Sequence, residues 1–468
     1  NSALPSPLNP MSTSPSSNSA LQSEGDLNVS PHRAGWAETH LDDATRRTLE
    51  EDSRWFIHQS LSTPCLNVLH GCQGASITDA QNRQLLDFHG NNVHQVGFGH
   101  PHVIDAITRQ LHELSFCPRR YTNLPAIHLA RRLAQLAPGN LNRVLFAPGG
   151  TTAIGMALKL ARVVNGRFKT LSWWDSFHGA SLDAVSVGGE TLFRSHIGPL
   201  LPGTQHAPPP EPRRCPFRCG STCNLACADY LEYVLDKEQD VAAVIAEPVR
   251  CTPAIPPPDY WKQIRAACDR HGTLLIFDEI PLGLGRTGRT FACEHYDVVP
   301  DMLVIGKGLG GGILPLAALI ARDDFATAAA ERALGHYTHE KNPVLCAAGL
   351  ATLDILESEH LPARAESLGA IALRRLSKLA DRHPCIGEVR GLGLLLGLEI
   401  VRDRQSMTPD PDRAERIMYE SLRRGLSFKV TMGNRITLTP ALTLTEPELL
   451  RGLDLLDQSL TATAPELA

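Results

Sequence analysis

The sequence contains no apolar run of the roughly 18 residues that a bilayer-spanning helix needs. Its first residues also lack the basic stretch, apolar core and small-residue cleavage site of a secretory signal. Because neither membrane insertion nor secretion is indicated, we expect a cytoplasmic protein.

The chain also has no excess of positively charged residues over negatively charged ones. The chain has 45 Lys and Arg residues against 50 Asp and Glu residues, which gives a formal net charge of -5. Proteins that bind nucleic acid or anionic membranes usually carry a basic patch, so we expect neither partner. With 468 residues, of which 43% are hydrophobic, the chain can bury the cores of two or three domains. We expect a small-molecule substrate.

Cysteine is too dilute for a disulfide scaffold, with 12 residues in the whole chain. Four of them, Cys215, Cys219, Cys223 and Cys227, are each separated by three residues. Structural zinc sites normally use closer C-x2-C pairs, so the pattern favours reduced, packed thiols over a metal site.

Composition changes along the chain and indicates its organisation. Residues 1–30 are rich in Ser, Pro and Asn, which predicts disorder, and residues 1–10 are interpreted as a remnant upstream of a natural start at Met11. For the remaining residues we predict two domains. A small domain is built from 31–95 and 346–468, and a large cofactor-binding domain covers 96–345.

Continuous apolar runs predict the central sheet. They cover 144–146, 170–173, 242–246, 274–277, 303–305 and 316–320. Such runs are typical of strands buried on both faces, so we expect an α/β fold with a mostly parallel sheet flanked by helices. Ligands of these sheets bind beyond the carboxyl ends of the strands, where 148–151, 176–179, Glu247, Asp278 and Lys307 follow the runs.

Lys307 is followed by Gly308, Gly310, Gly311 and Gly312. The phosphate loop of nucleotide hydrolases needs Ser or Thr after the lysine, so the sequence excludes that loop. An isolated lysine at a strand end is usually a surface residue. Together with Asp278, however, Lys307 favours pyridoxal 5'-phosphate, which needs a lysine amine, a carboxylate for its ring nitrogen and helix-start amides for its phosphate.

Three motifs extend this pattern: Gly97-Phe98-Gly99-His100-Pro101, Asp278-Glu279 with 283–288, and 305–312 around the lysine. In these motifs the chain resembles the class III aminotransferases, pyridoxal-phosphate enzymes of fold-type I, from about residue 60 to residue 450.

The resemblance implies that Lys307 is catalytic and holds the cofactor covalently, and that Asp278 pairs with the ring nitrogen. The other implied cofactor contacts are Gly150, Thr151, Phe177, His178, Glu247, Ile280 and Thr338. Because Thr338 matches a residue that reaches the neighbouring subunit, a homodimer with shared active sites is implied.

The chain departs from the family pattern inside the implied site. Thr437 stands where members that bind amino acids carry an arginine for the α-carboxylate, so an ordinary α-amino acid is not the expected substrate. Arg435, on the same strand face, is the alternative clamp. Arg119, Arg120 and Tyr121 are expected to contact the far end of the substrate, where paired arginines suit a phosphonate; surface ion pairing is the alternative.

Three functions are left open. The leading one is a lyase that releases ammonia and phosphonoacetaldehyde from (R)-1-hydroxy-2-aminoethylphosphonate, because 88–95 and 336–343 resemble lyases of this family. The alternatives are an ω-aminotransferase acting on a primary amine or aminophosphonate, and a cofactor-binding protein without activity. Since hydroxide leaves poorly without an acid, the lyase also needs a proton donor, for which His94, His178 and Tyr121 are candidates.

Overall fold

The computed structural model describes residues 30–219 and 223–464. The disorder predicted for residues 1–30 and the remnant predicted at 1–10 therefore lie outside the described residues, except for Ser30. The Ser30 side chain accepts a hydrogen bond from the His32 amide and caps the first helix.

The helices and strands are as follows. The α-helices are α1 (Pro31–His40), α2 (Asp43–Trp55), α3 (Pro101–Glu113), α4 (Leu124–Leu136), α5 (Gly150–Asn165), α6 (Leu182–Val187), α7 (Thr191–Arg194), α8 (Ala226–Glu238), α9 (Tyr260–His271), α10 (Phe325–Ala329), α11 (Pro343–Ser358), α12 (Leu361–Arg382), α13 (Pro411–Arg424) and α14 (Glu446–Ala462). The strands are β1 (Leu69–Gln73), β2 (Ser76–Asp79), β3 (Gln84–Asp87), β4 (Leu141–Ala147), β5 (Lys169–Trp173), β6 (Thr204–Ala207), β7 (Val241–Ala246), β8 (Leu274–Asp278), β9 (Met302–Ile305), β10 (Ala317–Arg322), β11 (Ile386–Leu392), β12 (Leu395–Asp403), β13 (Thr408–Pro409), β14 (Leu426–Ser427), β15 (Lys429–Thr431) and β16 (Arg435–Leu438).

The central sheet has the strand order β4-β10-β9-β8-β7-β5-β6. The strands from β9 to β6 pair in parallel, whereas β10 is antiparallel to both of its neighbours. All six predicted runs are strands of this sheet, which confirms the mostly parallel α/β prediction. The edge strand β6 was not predicted because its sequence Thr-Gln-His-Ala has no apolar run.

Alternate residues of each central strand enter two different hydrophobic cores. Ile276 and Val304 pack on the face covered by α5, whereas Phe277 and Ile305 pack on the opposite face with α9 and other elements. Both faces are therefore buried, which explains why the runs are continuous rather than alternating.

Two smaller sheets combine segments from both parts of the chain. One has the order β11-β12-β16-β15, with β13 added to β12, and the other has the order β1-β2-β3-β14. The strand β14 pairs in parallel with β3, so a C-terminal segment joins an N-terminal sheet. The domain boundaries at 95 and 345 stay a prediction. In the part of the chain that the structure describes, no helix is both long and apolar enough to cross a bilayer.

Candidate active site

Adjacent strands place Asp278 and Lys307 at one edge of the central sheet. Asp278 ends β8 and pairs in register with Val304 of β9, and the Glu279 amide donates a hydrogen bond to the Val304 carbonyl at 2.8 Å. Lys307 follows β9 at the start of a 3-10 turn, with a φ of 45°. A positive φ is unfavourable for a residue with a Cβ and is often retained at functional sites. Lys307 forms no hydrogen bond or ion pair with the other residues that the structure describes.

The glycines around Lys307 permit close packing against the lysine turn. A Cβ at Gly308 would overlap the Gln95 side-chain amide, and a Cβ at Gly306 would lie 3.3 Å from Ile280 Cγ2. The segment around Gln95 and the residue Ile280 can therefore both reach the lysine.

Asp278 is held in a fixed orientation by two donors. His178 Nδ1 lies 2.8 Å from Asp278 Oδ2, and the Ile280 amide donates to Asp278 Oδ1 at 3.0 Å. The side chains of His178 and Asp278 are 0% and 2% exposed, so water does not compete for this pair. A carboxylate can accept further hydrogen bonds, so Asp278 can still receive an N–H from a ligand ring.

The start of α5 forms an anion cradle beside Asp278. Its N-cap, Gly149, provides no side-chain cap, so the first backbone amides keep their hydrogen-bonding capacity for a ligand. Thr151 Oγ1 lies 2.7 Å from Ser181 Oγ, which ties the helix start to the loop after β5. A Cβ at Gly150 would lie 2.8 Å from Ile280 Cδ1, so Ile280 connects this cradle to the lysine turn.

Phe177 and Glu247 lie at the ends of β5 and β7. The Phe177 amide is 3.5 Å from Glu247 Oε1, and Arg250 Nε lies 3.5 Å from the same oxygen. The Phe177 ring packs 4.5 Å from the Phe193 ring. Glu247 therefore positions the backbone of the loop that carries Phe177 and His178.

The predicted substrate contacts before α4 lie on the surface of the chain. Arg119 forms an ion pair with Glu340 and is 42% exposed, and Tyr121 is 69% exposed. Arg120 and Thr338 are exposed as well. These two loops contact each other, since Asn123 Nδ2 also donates to the Lys341 carbonyl at 2.9 Å. Within one chain, the described contacts do not connect Arg119, Arg120, Tyr121 or Thr338 with Lys307.

Arg435 is fully engaged by acidic side chains. Its guanidinium binds both oxygens of Glu211, at 2.8 and 2.5 Å, and Arg435 Nε lies 3.4 Å from Glu399 Oε2. Burial opposes ionisation of Glu211, but the Arg435 hydrogen bonds and charge hold the pKa of Glu211 at about 2. This geometry assigns Arg435 to an internal ion pair and does not support its prediction as a substrate clamp.

The candidate proton donors occupy very different environments. His178 is taken up by Asp278, and Tyr121 lies on the surface. His94 is fully buried and stacks on Phe98 at a centroid distance of 4.8 Å. Burial, followed by the positive charge of Arg286, lowers the pKa of His94 to about 3, so its ring is neutral.

Two basic residues, His89 and Lys429, were given no role by the sequence analysis. His89 follows β3, and burial, Lys429, His94 and Lys307 together push the pKa of His89 well below its ordinary range. Lys429 begins β15, which is far away in the sequence. Only the pairing of β14 with β3 brings these residues together, so no local pattern could have identified them.

Two members of the cysteine cluster lie close together. Cys215 Sγ and Cys219 Sγ lie 3.4 Å apart, and Cys215 and Cys227 are buried. Among the residues described, no group of three or more His, Cys, Asp or Glu side chains is arranged to hold a metal ion.

This edge of the sheet therefore offers a lysine amine, a fixed buried carboxylate and uncapped helix amides. These groups fit the aldehyde, the ring nitrogen and the phosphate of pyridoxal 5'-phosphate. The fit rests on Lys307, Asp278 and the start of α5, which Ile280 connects by direct packing.

Comparison with known proteins places this site in a family. Residues 58–460 match the family described as Aminotransferase class-III. The chain is 48% identical over 456 residues to the (R)-1-hydroxy-2-aminoethylphosphonate ammonia-lyase of Vibrio splendidus, covering 94% of this chain and 95% of the relative. It is 33% identical over 422 residues to the leucine/methionine racemase of Thermococcus litoralis, covering 88% and 94%.

A solved structure is also similar. The amine transaminase from an uncultivated Pseudomonas species, in its PLP-bound form, is 33% identical and superposes with a TM-score of 0.80, covering 88% of this chain and 98% of that one. The sequence match covers the strands that carry Asp278 and Lys307, and the fold is shared over the same length. The chain belongs to the class III aminotransferase family.

Proposed function

We propose that this chain is a pyridoxal 5'-phosphate-dependent lyase that releases ammonia and phosphonoacetaldehyde from (R)-1-hydroxy-2-aminoethylphosphonate. The observation that carries the proposal is its 48% identity, over 94% of the chain, with a lyase named for that substrate. The site geometry supports it, because Thr437 offers no guanidinium for an α-carboxylate and Arg435 is bound to Glu211.

Each residue around the cofactor site has a distinct role. The bound cofactor supplies an electron-withdrawing ring in conjugation with the substrate amine. Asp278, oriented by His178, would accept the N–H of that ring, and Phe177 and Ile280 are the side chains that would pack against the ring. The first amides of α5, at Gly150 and Thr151, would bind the phosphate, and Glu247 holds the Phe177 loop in place.

Lys307 carries the proton transfer of the reaction. Its amine takes the proton from the nitrogen-bearing carbon of the substrate, and the C–O bond on the neighbouring carbon breaks with its electron pair on oxygen. The oxygen leaves as water after taking up a proton. The carbon next to phosphorus then takes up a proton, and addition of water to the nitrogen-bearing carbon releases ammonia and leaves the aldehyde, so the atoms of the substrate equal those of the two products.

We also propose a homodimer that acts in the cytoplasm. The exposed loops carrying Arg119, Arg120, Tyr121 and Thr338 are tied together by the Arg119–Glu340 ion pair, and in a dimer they would reach the neighbouring site. The dilute, reduced cysteines suit a reducing compartment.

An ω-aminotransferase is the alternative function, favoured by the 33% identity with an amine transaminase. A transaminase must also bind a keto acid, and Thr437 stands where the family pattern has the arginine that would hold its carboxylate. A cofactor-binding protein without activity is the weaker alternative, because Lys307 and Asp278 are both present and meet at the same edge of the sheet.

Ammonia release without a keto acid tests the proposal. We expect the purified holoenzyme to produce ammonia and phosphonoacetaldehyde continuously from the hydroxylated substrate, and none from 2-aminoethylphosphonate, which has no leaving group. Both products are quantified by coupled enzymatic assays. If ammonia appears only after pyruvate is added, or stops after one equivalent per site, the chain is a transaminase instead.

A further inference from the structure

The loop after β5 contacts α5 at three places, and one of them involves a carboxylate that has no assigned role. Thr151 Oγ1 lies 2.7 Å from Ser181 Oγ, and the Ser181 amide donates to Thr151 Oγ1 at 3.4 Å. A Cβ on Gly179 would overlap Thr151 Oγ1, so the backbone of the loop packs directly on this hydroxyl. The third contact is made by Asp183, in the first turn of α6.

Asp183 lies against the second turn of α5. A Cβ on Gly155 would overlap Asp183 Oδ2, so the carboxylate occupies the space that this glycine leaves open. Asp183 Oδ1 accepts hydrogen bonds from the Ser181 hydroxyl and, at 2.9 Å, from the Ala184 amide. The first turn of α5 has no acidic residue of its own. The carboxylate beside this helix is therefore supplied by a different element.

The hydrogen bonds between these side chains have one direction. A carboxylate only accepts, and a serine hydroxyl has a single proton to donate. Because Ser181 gives its proton to Asp183, Ser181 Oγ acts as the acceptor in the 2.7 Å contact, and Thr151 is the donor. Protons are thus donated from Thr151 to Ser181 and from Ser181 to Asp183, and the Thr151 hydroxyl has no proton left for a ligand.

This direction determines what the start of α5 offers to a phosphate. The Thr152 hydroxyl donates to the Gly149 carbonyl at 2.6 Å, so it is occupied as well. With both threonine hydroxyls bound inside the protein, the donors that remain for a phosphate are the backbone amides at the start of the helix. The position of these amides relative to the loop depends on the contacts with Ser181 and Asp183.

We propose that Asp183 is a positioning residue of the cofactor site, which acts through Ser181 to hold Thr151 in the geometry that binds the phosphate of pyridoxal 5'-phosphate. Asp183 acts through the two hydroxyls and needs no contact of its own with the cofactor. The ring end of the same loop is held separately, by the hydrogen bond between His178 and Asp278. The role of Asp183 is therefore confined to the phosphate. The inference rests on the cofactor requirement of the proposed function and is independent of the substrate.

Cofactor affinity with and without the phosphate tests this role. Apoprotein prepared from the holoenzyme is titrated with pyridoxal 5'-phosphate and, separately, with pyridoxal, and binding is followed by absorbance. We expect Asp183→Ala to weaken binding of the phosphorylated form by about tenfold, as for one lost hydrogen bond, and to leave binding of pyridoxal unchanged. Asp183→Asn should retain the wild-type affinity, because its amide oxygen can still accept the Ser181 proton.

A second variant moves the carboxylate without removing it. In Gly155→Ala the new Cβ displaces Asp183 Oδ2, whereas alanine is itself favourable in a helix. We expect this variant to bind pyridoxal 5'-phosphate more weakly than wild type, and the double variant with Asp183→Ala to bind no more weakly than Asp183→Ala alone, because both changes break the same contact. The matched control is Asp381→Ala, which removes an exposed aspartate of α12 and should leave both constants unchanged.

Two results would overturn the assignment. If Asp183→Ala and Gly155→Ala both bind pyridoxal 5'-phosphate with wild-type affinity, the phosphate geometry does not depend on Asp183. If Asp183→Ala loses affinity for pyridoxal 5'-phosphate and for pyridoxal to the same degree, Asp183 only supports the fold.

This inference and the proposed function fail in distinguishable ways. If Asp183→Ala shows the selective loss but wild type releases no ammonia from the hydroxylated aminophosphonate, the lyase function is wrong and the role of Asp183 stands. If wild type releases ammonia while Asp183→Ala keeps the wild-type affinity for the cofactor, the lyase function stands and the role of Asp183 is wrong.

Discussion

At the scale of single residues, the burial of His94 has a direct consequence for acid stability. Its folded pKa of about 3 lies far below its ordinary value of 6.5, because burial and then Arg286 disfavour the charged ring. A depressed folded pKa contributes stability that is present above the unfolded pKa and is lost as the pH falls toward the folded pKa. The relevant window therefore runs from about pH 6.5 downward.

We predict that His94→Gln removes much of this acid sensitivity. Between pH 7 and pH 4, protonation of this histidine in the unfolded chain should cost wild type about 3 kcal/mol of unfolding free energy, and the variant should not show this term. Urea unfolding at a series of pH values measures the slope. The variant is expected to be less stable at pH 7, so the slope is the informative quantity, and equal slopes would contradict the prediction.

At the scale of an element, the 3-10 turn Lys307–Gly310 depends on a glycine that no other residue can replace without rearrangement. A Cβ on Gly308 would overlap the buried Gln95 side chain. Gln95 is 1% exposed, so its displaced amide would have to find space inside the core. The conflict lies between two elements that position Lys307.

We predict that Gly308→Ala destabilises the protein by about 1–3 kcal/mol, the usual range for overpacking, and weakens cofactor binding. The double variant Gly308→Ala with Gln95→Ala should recover part of both losses, because the shorter side chain provides space. Thermal unfolding and the cofactor absorbance measure the two effects. Strictly additive losses in the double variant would show that the two side chains do not compete for the same space.

At the scale of the whole molecule, the exposed position of Thr338 predicts that one chain completes the site of another. Thr338→Ala alone should weaken cofactor affinity by about tenfold, as expected for one lost hydrogen bond to a phosphate. Co-expression with Lys307→Ala chains should produce mixed dimers in which a Thr338→Ala chain regains its threonine from the partner. A cofactor titration of such mixtures should then show two phases among the lysine-bearing sites. A single weak phase, or a monomer by light scattering, would contradict the shared site.

The fold was predictable wherever a strand is buried on both faces, because such a strand has a continuous apolar sequence. The strands β7, β8 and β9 are examples, and the candidate site residues that follow or end two of them, Asp278 and Lys307, could be located by counting along the chain. The edge strand β6 escaped because its four residues, Thr-Gln-His-Ala, contain no apolar run, whereas the other edge strand, β4, has one and was predicted. The ion pair of Arg435 could not be predicted either, because its partner Glu211 lies on a loop that is distant in the sequence.

The sequence by itself determined the α/β architecture and pointed to the candidate lysine and carboxylate of the site, because each of these depends on local order: a strand, its last residue and the turn that follows. Only the tertiary structure decided the surroundings of the residues on the C-terminal strands. Arg435 is bound by Glu211, which lies far away in the sequence, and the pairing of β14 with β3 joins a C-terminal segment to the N-terminal sheet. Those choices depend on contacts between residues hundreds of positions apart, for which no local pattern of residues exists.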